Sequence, residues 1–145
     1  MVSEKSFAES SNKTPSKVIL VAEDNPDDAT IFELMFKRAS LPQSLFFVED
    51  GQKVIDWLSG SDGYSDRAKY PMPDQVLLDL KMPVKSGFEA LEWIRRQEQL
   101  KHLPVIILSS SDDPRDMRRA EELGATSYFV KSPQLRDVLG YLRLN

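Results

Sequence analysis

Short apolar segments alternate along the chain with longer segments of helical period. The apolar segments predict strands over residues 17–22, 44–49, 74–80, 104–110 and 126–131. The segments of helical period predict helices over residues 27–40, 51–60, 86–100, 113–124 and 132–144. Because continuously apolar strands separated by helices are typical of a parallel sheet covered on both faces, the pattern predicts an α/β fold. We expect an open, doubly wound, five-stranded parallel sheet, since five β/α units are too few to close an eight-stranded barrel.

The first and last predicted helices begin with residues that are typical of helix N-termini. Asn25 can cap the first helix, with Pro26 at its first position, and Asp28 suits the positive end of the helix dipole. This interpretation gives Asp28 no role beyond the start of the helix. Ser132 and Pro133 supply the same kind of signal for the last helix, as cap and first residue.

Composition narrows the class of protein. The 145 residues, 41% hydrophobic and 29% charged, suit one globular domain, and the absence of cysteine excludes disulfides and thiolate metal sites. A net charge of −4 disfavours direct nucleic-acid binding, and no apolar run approaches the roughly 20 residues that span a membrane. Residues 1–16 are polar and lack the apolar stretch of a signal peptide. We therefore expect a flexible tail over residues 1–16, a domain over residues 17–145 and a cytoplasmic location.

Polar residues stand at the carboxyl ends of four predicted strands. Glu23 and Asp24 follow the first strand, Asp79 the third, Ser109 the fourth and Lys131 the fifth. In an open parallel sheet these ends share one edge, where ligands bind. Mg²⁺ prefers carboxylate, water and phosphate oxygens, an ammonium suits a phosphoryl oxygen, and an aspartate can itself accept a phosphoryl group. The group therefore predicts an Asp that is phosphorylated with the help of Mg²⁺.

Four segments at these strand ends carry a family resemblance. VAEDNPDD, LLDLKMPVKSGFEALEWIR, PVIILSSS and GATSYFVK resemble the receiver domains of response regulators in two-component signalling. The resemblance covers about residues 17–144. It implies a flavodoxin-like sheet with strand order 2-1-3-4-5.

The resemblance also implies roles for the acidic residues. Asp79 matches the phosphoacceptor, and Asp24 matches the acid that binds Mg²⁺ directly. Glu23 matches the acid that acts mainly through water, and the backbone carbonyl of Lys81 matches a further ligand.

The resemblance also implies roles for five positions around the acids, in binding the phosphoryl group, in switching, or in tuning the lifetime of that group. Ser109 and Lys131 match the hydroxyl and the lysine that contact the phosphoryl group, and Tyr128 matches an aromatic switch residue. Lys81 and Ser111 stand at positions that tune the lifetime of the phosphoryl group. Ser109 stands where Thr is commoner, but the hydroxyl is kept.

The implied partner is a sensor histidine kinase. The loop over residues 59–73 and the segment EDNPDD resemble single-domain regulators associated with phytochrome-type kinases. Because the chain ends at Asn145, we expect output through a downstream protein or a phosphotransfer protein. A homodimer through the fourth helix, fifth strand and fifth helix is an alternative, although core packing is the simpler role for the residues concerned. They are Tyr128, Val138, Leu139, Tyr141, Leu142 and Leu144.

One position departs from the family pattern. Receivers usually have proline, joined by a cis bond, directly after the lysine, whereas this chain reads Lys131–Ser132–Pro133. A cis bond to Ser costs about 2.5–4 kcal/mol. We expect either a cis Lys131–Ser132 bond held by the site or a rerouted loop.

Three other functions compete with this interpretation. A flavin or nucleotide site is disfavoured because the loop after the first strand is acidic and contains Pro26, which lacks a donor. An aspartate-nucleophile phosphatase needs an acid at the position of Lys81. We therefore expect no enzyme beyond assistance with the domain's own phosphorylation and dephosphorylation. A receiver-like interaction module that works without phosphorylation stays open.

Overall fold

Strands and helices alternate strictly along residues 17–145, the part of the chain that the computed structural model describes. The expected tail over residues 1–16 lies outside the described residues. The strands are β1 (Val18–Ala22), β2 (Ser44–Val48), β3 (Gln75–Leu78), β4 (Val105–Ser109) and β5 (Ser127–Val130). The helices are α1 (Pro26–Arg38), α2 (Gly51–Ser59), α3 (Gly87–Arg96), α4 (Pro114–Glu122) and α5 (Leu135–Leu144). No helix within this range combines the length and the apolarity needed to cross a membrane.

The five strands form one parallel sheet in the order β2-β1-β3-β4-β5, which confirms the predicted fold class. Strand β1 lies between β2 and β3, so that Ile19 pairs with Leu45 on one side and with Gln75 on the other. At the far edge Ile107 pairs with Tyr128. The order reverses between β1 and β3, which places the crevice for a ligand at the carboxyl ends of these two strands.

The apolar strands separate two core layers. Leu20 and Leu78 point into a layer with α2 and α3, and Ile19 and Leu77 point into a layer with α1 and α5. Alternate residues of a strand face opposite sides of the sheet, and both sides are covered. This double burial explains why the strands are continuously apolar instead of alternating with polar residues.

The start of α1 agrees with the sequence signals. Asn25 is the N-cap, and its side-chain oxygen accepts hydrogen bonds from the backbone N–H groups of Asp27 at 2.9 Å and Asp28 at 3.2 Å. Pro26 is the first helical residue. The cap therefore holds the first turn of α1 in a defined orientation beside the end of β1.

The start of α5 differs from the prediction. The helix begins at Leu135 instead of residue 132, and Ser132 has a left-handed φ of 70°. A residue in that conformation turns the chain aside and cannot act as the N-cap. The turn is closed by Gln134, whose backbone N–H donates to the Val130 carbonyl at 3.1 Å and whose side chain accepts from the Val130 N–H at 2.7 Å.

The path after β5 decides between the two expected forms of the lysine loop. All peptide bonds of residues 17–145 are trans, so the expectation of a cis Lys131–Ser132 bond is wrong. Strand pairing continues to Lys131, whose backbone N–H donates to the Ser109 carbonyl at 2.7 Å. The chain is then rerouted at Ser132, because its positive φ produces the sharp change of direction.

Packing limits the residues that are free for a dimer face. Val138, Leu139 and Leu142 are buried in the layer between the sheet and α5. Tyr141 is half-buried and lies edge-on to Phe129, with ring centroids 5.7 Å apart. A homodimer through this face would therefore depend on the partly exposed Tyr128 and Tyr141 and on Leu144, which is 85% exposed.

Candidate functional site

Three carboxylates converge where β1 and β3 end. Oxygens of Glu23, Asp24 and Asp79 lie within 4.8 Å of one another. The backbones that carry them are held by the sheet, since Glu23 N–H donates to Val48 O at 3.0 Å and Asp79 N–H to Ala22 O at 3.2 Å. A compact set of carboxylate oxygens is the donor set that a hard divalent cation prefers, so these residues fit Mg²⁺.

The Lys131 side chain reaches into this cluster from the end of β5. Its ammonium lies 2.6 Å from Glu23 Oε1, 2.9 Å from Asp79 Oδ2 and 3.0 Å from Asp28 Oδ2. The Lys131 side chain is only 17% exposed, and those of Glu23 and Asp79 are each 8% exposed. The ammonium thus forms ion pairs with three acids.

The charged state of the lysine is strongly favoured. Burial alone lowers the pKa of Lys131, but hydrogen bonds with Glu23, Asp79 and Asp28 and the charge of Asp79 outweigh that effect and raise it. The lysine is therefore a permanent positive charge beside Asp79.

Burial disfavours the ionised form of Glu23. Burial raises the pKa of Glu23, although hydrogen bonds from Lys131 and from the Asn25 backbone N–H, at 3.0 Å, favour the ionised form. The charge of Asp79 adds to the rise. A cation at this edge would relieve the repulsion between the two acids.

A hydrogen-bonded loop after β4 joins the predicted hydroxyl and the predicted aromatic residue. Ser109 is fully buried, and its Oγ accepts from the Ser111 N–H at 3.2 Å. Tyr128 donates its hydroxyl to the Ser111 carbonyl at 2.8 Å, and Ser111 Oγ donates to Asp116 at 2.6 Å. Burial raises the pKa of Tyr128. Asp116, which was not among the predicted site residues, anchors the loop to α4.

Lys81 lies at the rim of the cluster. Its backbone N–H points at Asp79 Oδ1, at 3.4 Å, and its side chain is exposed. The structure thus brings Glu23 and Asp79 into direct contact with Lys131 and places an oxygen of Asp24 within 4.8 Å of these two acids. The Lys81 side chain is left exposed to solvent.

Asp28 is a second residue of the site whose role was not predicted from the sequence. The interpretation of Asp28 as a helix-start acid alone is incomplete, because its carboxylate contacts Lys131. One signal was present in the sequence. Asp28 follows Asp24 by four residues, about one helical turn, so a helix that starts beside the acidic pair can return the residue to the same side.

Residues 19–143 match the family model of the response regulator receiver domain. The chain belongs to this family. Domains of the family are generally not enzymes.

Three relatives match this receiver domain over nearly its whole length. The crystal structure of response regulator RPA3017 in red light signaling of R. palustris is 36% identical, with a TM-score of 0.79 and 90% of each chain covered. The phosphorylated cyanobacterial phytochrome response regulator RcpA is 29% identical, with a TM-score of 0.76 over 88% of this chain and 89% of RcpA.

Response regulator Rcp1 of Synechocystis is 32% identical over 129 residues, which cover 89% of this chain and 86% of Rcp1. Its Mn²⁺-bound crystal structure is 31% identical, with a TM-score of 0.75 over 88% of this chain and 89% of Rcp1. A receiver of known structure that is similar to this chain therefore binds a divalent cation.

The receiver domain requires a glycine where α3 begins. Gly87 donates its N–H to the Leu80 carbonyl at 2.9 Å, and a Cβ at this position would lie 2.0 Å from the Asp79 carbonyl oxygen. The missing side chain therefore lets α3 start directly behind the backbone of Asp79.

Two Gly→Ala substitutions test this contact. We expect Gly87→Ala to lower the free energy of unfolding by about 2–3 kcal/mol, because the added methyl overlaps backbone that cannot move freely. The control Gly140→Ala, in α5 with no atom within 4 Å of the added Cβ, should raise it by about 0.5–1 kcal/mol. Urea unfolding measures both. Equal stability of Gly87→Ala and wild type would contradict the close approach.

Proposed function

We propose that this receiver domain is a response regulator whose Asp79 accepts a phosphoryl group from a histidine kinase in a Mg²⁺-dependent reaction. The observation that supports this proposal is the position of Asp79, beside two further acids and within 2.9 Å of a charged lysine. Such a site can hold a nucleophilic carboxylate, a cation and a phosphoryl group together.

In the proposed reaction a carboxylate oxygen of Asp79 attacks phosphorus, and the bond between phosphorus and the donor's nitrogen breaks. Lys131 would turn its ammonium from Glu23 and the Asp79 carboxylate towards the new phosphoryl oxygens. Glu23, Asp24, Asp79 and the backbone carbonyl of Lys81 would hold Mg²⁺. When bound, the ion neutralises charge on the oxygens of the transferring group.

We propose that the signal then passes through the loop after β4. A phosphoryl group on Asp79 offers the buried Ser109 hydroxyl a stronger acceptor than its neighbours in the loop. A shift of Ser109 would break its hydrogen bond with the Ser111 N–H and move the Ser111 carbonyl, to which Tyr128 is bonded. The surface of α4, β5 and α5 would change in response, which suits recognition by a downstream protein or a phosphotransfer protein.

The comparisons favour a phytochrome-type kinase as the partner. One relative is a phytochrome response regulator, and another belongs to red light signaling. We also propose a cytoplasmic location, because the kinase domain that would donate the phosphoryl group would lie in the cytoplasm.

A module that binds partners without phosphorylation is the second candidate. Lys131 forms ion pairs with Glu23 at 2.6 Å and with Asp79 at 2.9 Å. These ion pairs offset part of the negative charge of the cluster in the unphosphorylated protein, and this observation supports the alternative.

Chemical phosphorylation separates the two candidates. We expect the wild type to gain one phosphoryl group from acetyl phosphate and Mg²⁺, measured by intact mass, and to gain none with excess chelator. Asp79→Asn should gain none, because the amide is not a nucleophile. The control Asp62→Asn, in an exposed loop with a φ of 51° that Asn tolerates, should behave as wild type. An unmodified wild type would favour the second candidate.

The lifetime role of Lys81 stays a prediction. Its exposed side chain at the rim of the cluster can cover the path of water to a phosphoryl group on Asp79. We expect Lys81→Ala to hydrolyse its phosphoryl group about three- to tenfold faster, a change of about 0.7–1.4 kcal/mol in the barrier.

The decay of phosphorylated protein after removal of the donor measures this rate. Lys85→Ala, a lysine of the same loop, is the control for the loss of one positive charge. Identical decay of wild type and Lys81→Ala would exclude the role, and Ser111→Ala tests the other predicted tuning position in the same assay.

A further inference from the structure

Asp28 differs from the other acids that contact Lys131. Glu23 and Asp79 belong to the set of oxygens that can hold a cation, whereas Asp28 lies in the first turn of α1 outside that set. Its Oδ2 is 3.0 Å from the Lys131 ammonium, and its side chain is 41% exposed. Asp28 is thus a partner that Lys131 can keep when a cation takes over the other two acids.

The position of Asp28 is held by its own helix. Its backbone N–H donates to Asn25 Oδ1 at 3.2 Å, within the cap of α1. A capped first turn is one of the more ordered parts of a helix end. The carboxylate is therefore presented to Lys131 from an element that does not carry the phosphoacceptor.

Lys131 needs such a restraint because the residue that follows it differs from the proline that is usual in receiver domains. The bond to Ser132 is trans, and Ser132 rather than a proline ring follows the lysine. A lysine side chain is flexible and loses rotamer entropy when it is held in one place. Without a partner outside the acid cluster, its ammonium would be held by Glu23 and Asp79 alone.

We propose that Asp28 is a positioning residue for Lys131. It shares the ammonium with the acid cluster, so that Lys131 competes less strongly with a cation for Glu23 and stays beside Asp79 when that cation binds. This inference rests on the proposed function of the site and names a residue that the function alone does not assign.

A matched pair of alanine variants tests the inference. Asp27 and Asp28 are adjacent in the first turn of α1, and both donate their backbone N–H to Asn25 Oδ1, but Asp28 contacts Lys131 and Asp27 is exposed. We expect Asp28→Ala to weaken Mg²⁺ binding by about threefold and to slow phosphorylation by acetyl phosphate about three- to tenfold. Asp27→Ala should change both by less than about twofold.

Three further measurements separate positioning from a general loss of structure. The NMR signals of the Lys131 side chain should shift in Asp28→Ala and stay unchanged in Asp27→Ala. Asp28→Glu, which keeps the charge and can reach the ammonium, should restore at least half of the lost phosphorylation rate. In a Lys131→Met background, Asp28→Ala should alter Mg²⁺ affinity no more than Asp27→Ala does.

The outcomes distinguish this inference from the function on which it rests. Equal Mg²⁺ affinities, rates and Lys131 signals in Asp27→Ala and Asp28→Ala would overturn the role of Asp28 while Asp79 still accepts a phosphoryl group. A wild type that is never phosphorylated would overturn the proposed function. In that case the Mg²⁺ affinities and the Lys131 signals still decide whether Asp28 positions the lysine.

Discussion

The Lys131 ammonium offsets part of the repulsion among the carboxylates that the parallel sheet brings together. Two like charges about 5 Å apart repel each other by about 3 kcal/mol at an effective dielectric constant of about 20. Glu23 and Asp79, whose carboxylate oxygens lie within 4.8 Å of each other, both have nearly buried side chains. Lys131 offsets part of this repulsion through ion pairs at 2.6 Å with Glu23 and at 2.9 Å with Asp79. A phosphoryl group or a cation at Asp79 must change these charges. The proposed phosphorylation would therefore rearrange the ion pairs that Lys131 makes in the unphosphorylated protein.

The fold positions the acids and the lysine of the site through their backbone groups, not through their side chains. Asp79 and Glu23 are placed by sheet hydrogen bonds to Ala22 and Val48, and Lys131 is placed by its N–H bond to the Ser109 carbonyl. Both faces of the strands are covered by apolar layers, which makes these backbone positions rigid. The loop after β4 is held differently, by side-chain hydrogen bonds of Ser111 and Tyr128 that can be exchanged. The site therefore combines a rigid acceptor with a loop that can move.

The sequence predicted most of the acid cluster because two simple rules apply to it. Apolar runs identify the strands, and parallel strands end at one edge, so Glu23, Asp79 and Lys131 had to meet. The start of α5 was not predictable in this way. Ser132 and Pro133 have the composition of a helix start, but the contact of Gln134 with Val130 and the positive φ of Ser132 decide the path of the chain. Such contacts depend on tertiary structure and leave no periodic pattern.

The tertiary contact of Asp28 was likewise not predictable from the sequence pattern. Its place after Asn25 and Pro26 gives a sufficient local reason for an acid, the helix dipole, and this reason concealed the contact with Lys131. A residue can satisfy a local rule and a tertiary contact together, and only the structure reveals the second.

A crystal structure with Mg²⁺ and beryllofluoride, which stands in for a phosphoryl group, tests the central claim most directly. The account predicts beryllofluoride on Asp79, the ion against Glu23, Asp24 and Asp79, and the Lys131 ammonium on a fluorine atom and on Asp28. An unmodified Asp79, or an ion bound away from these three acids, would contradict it.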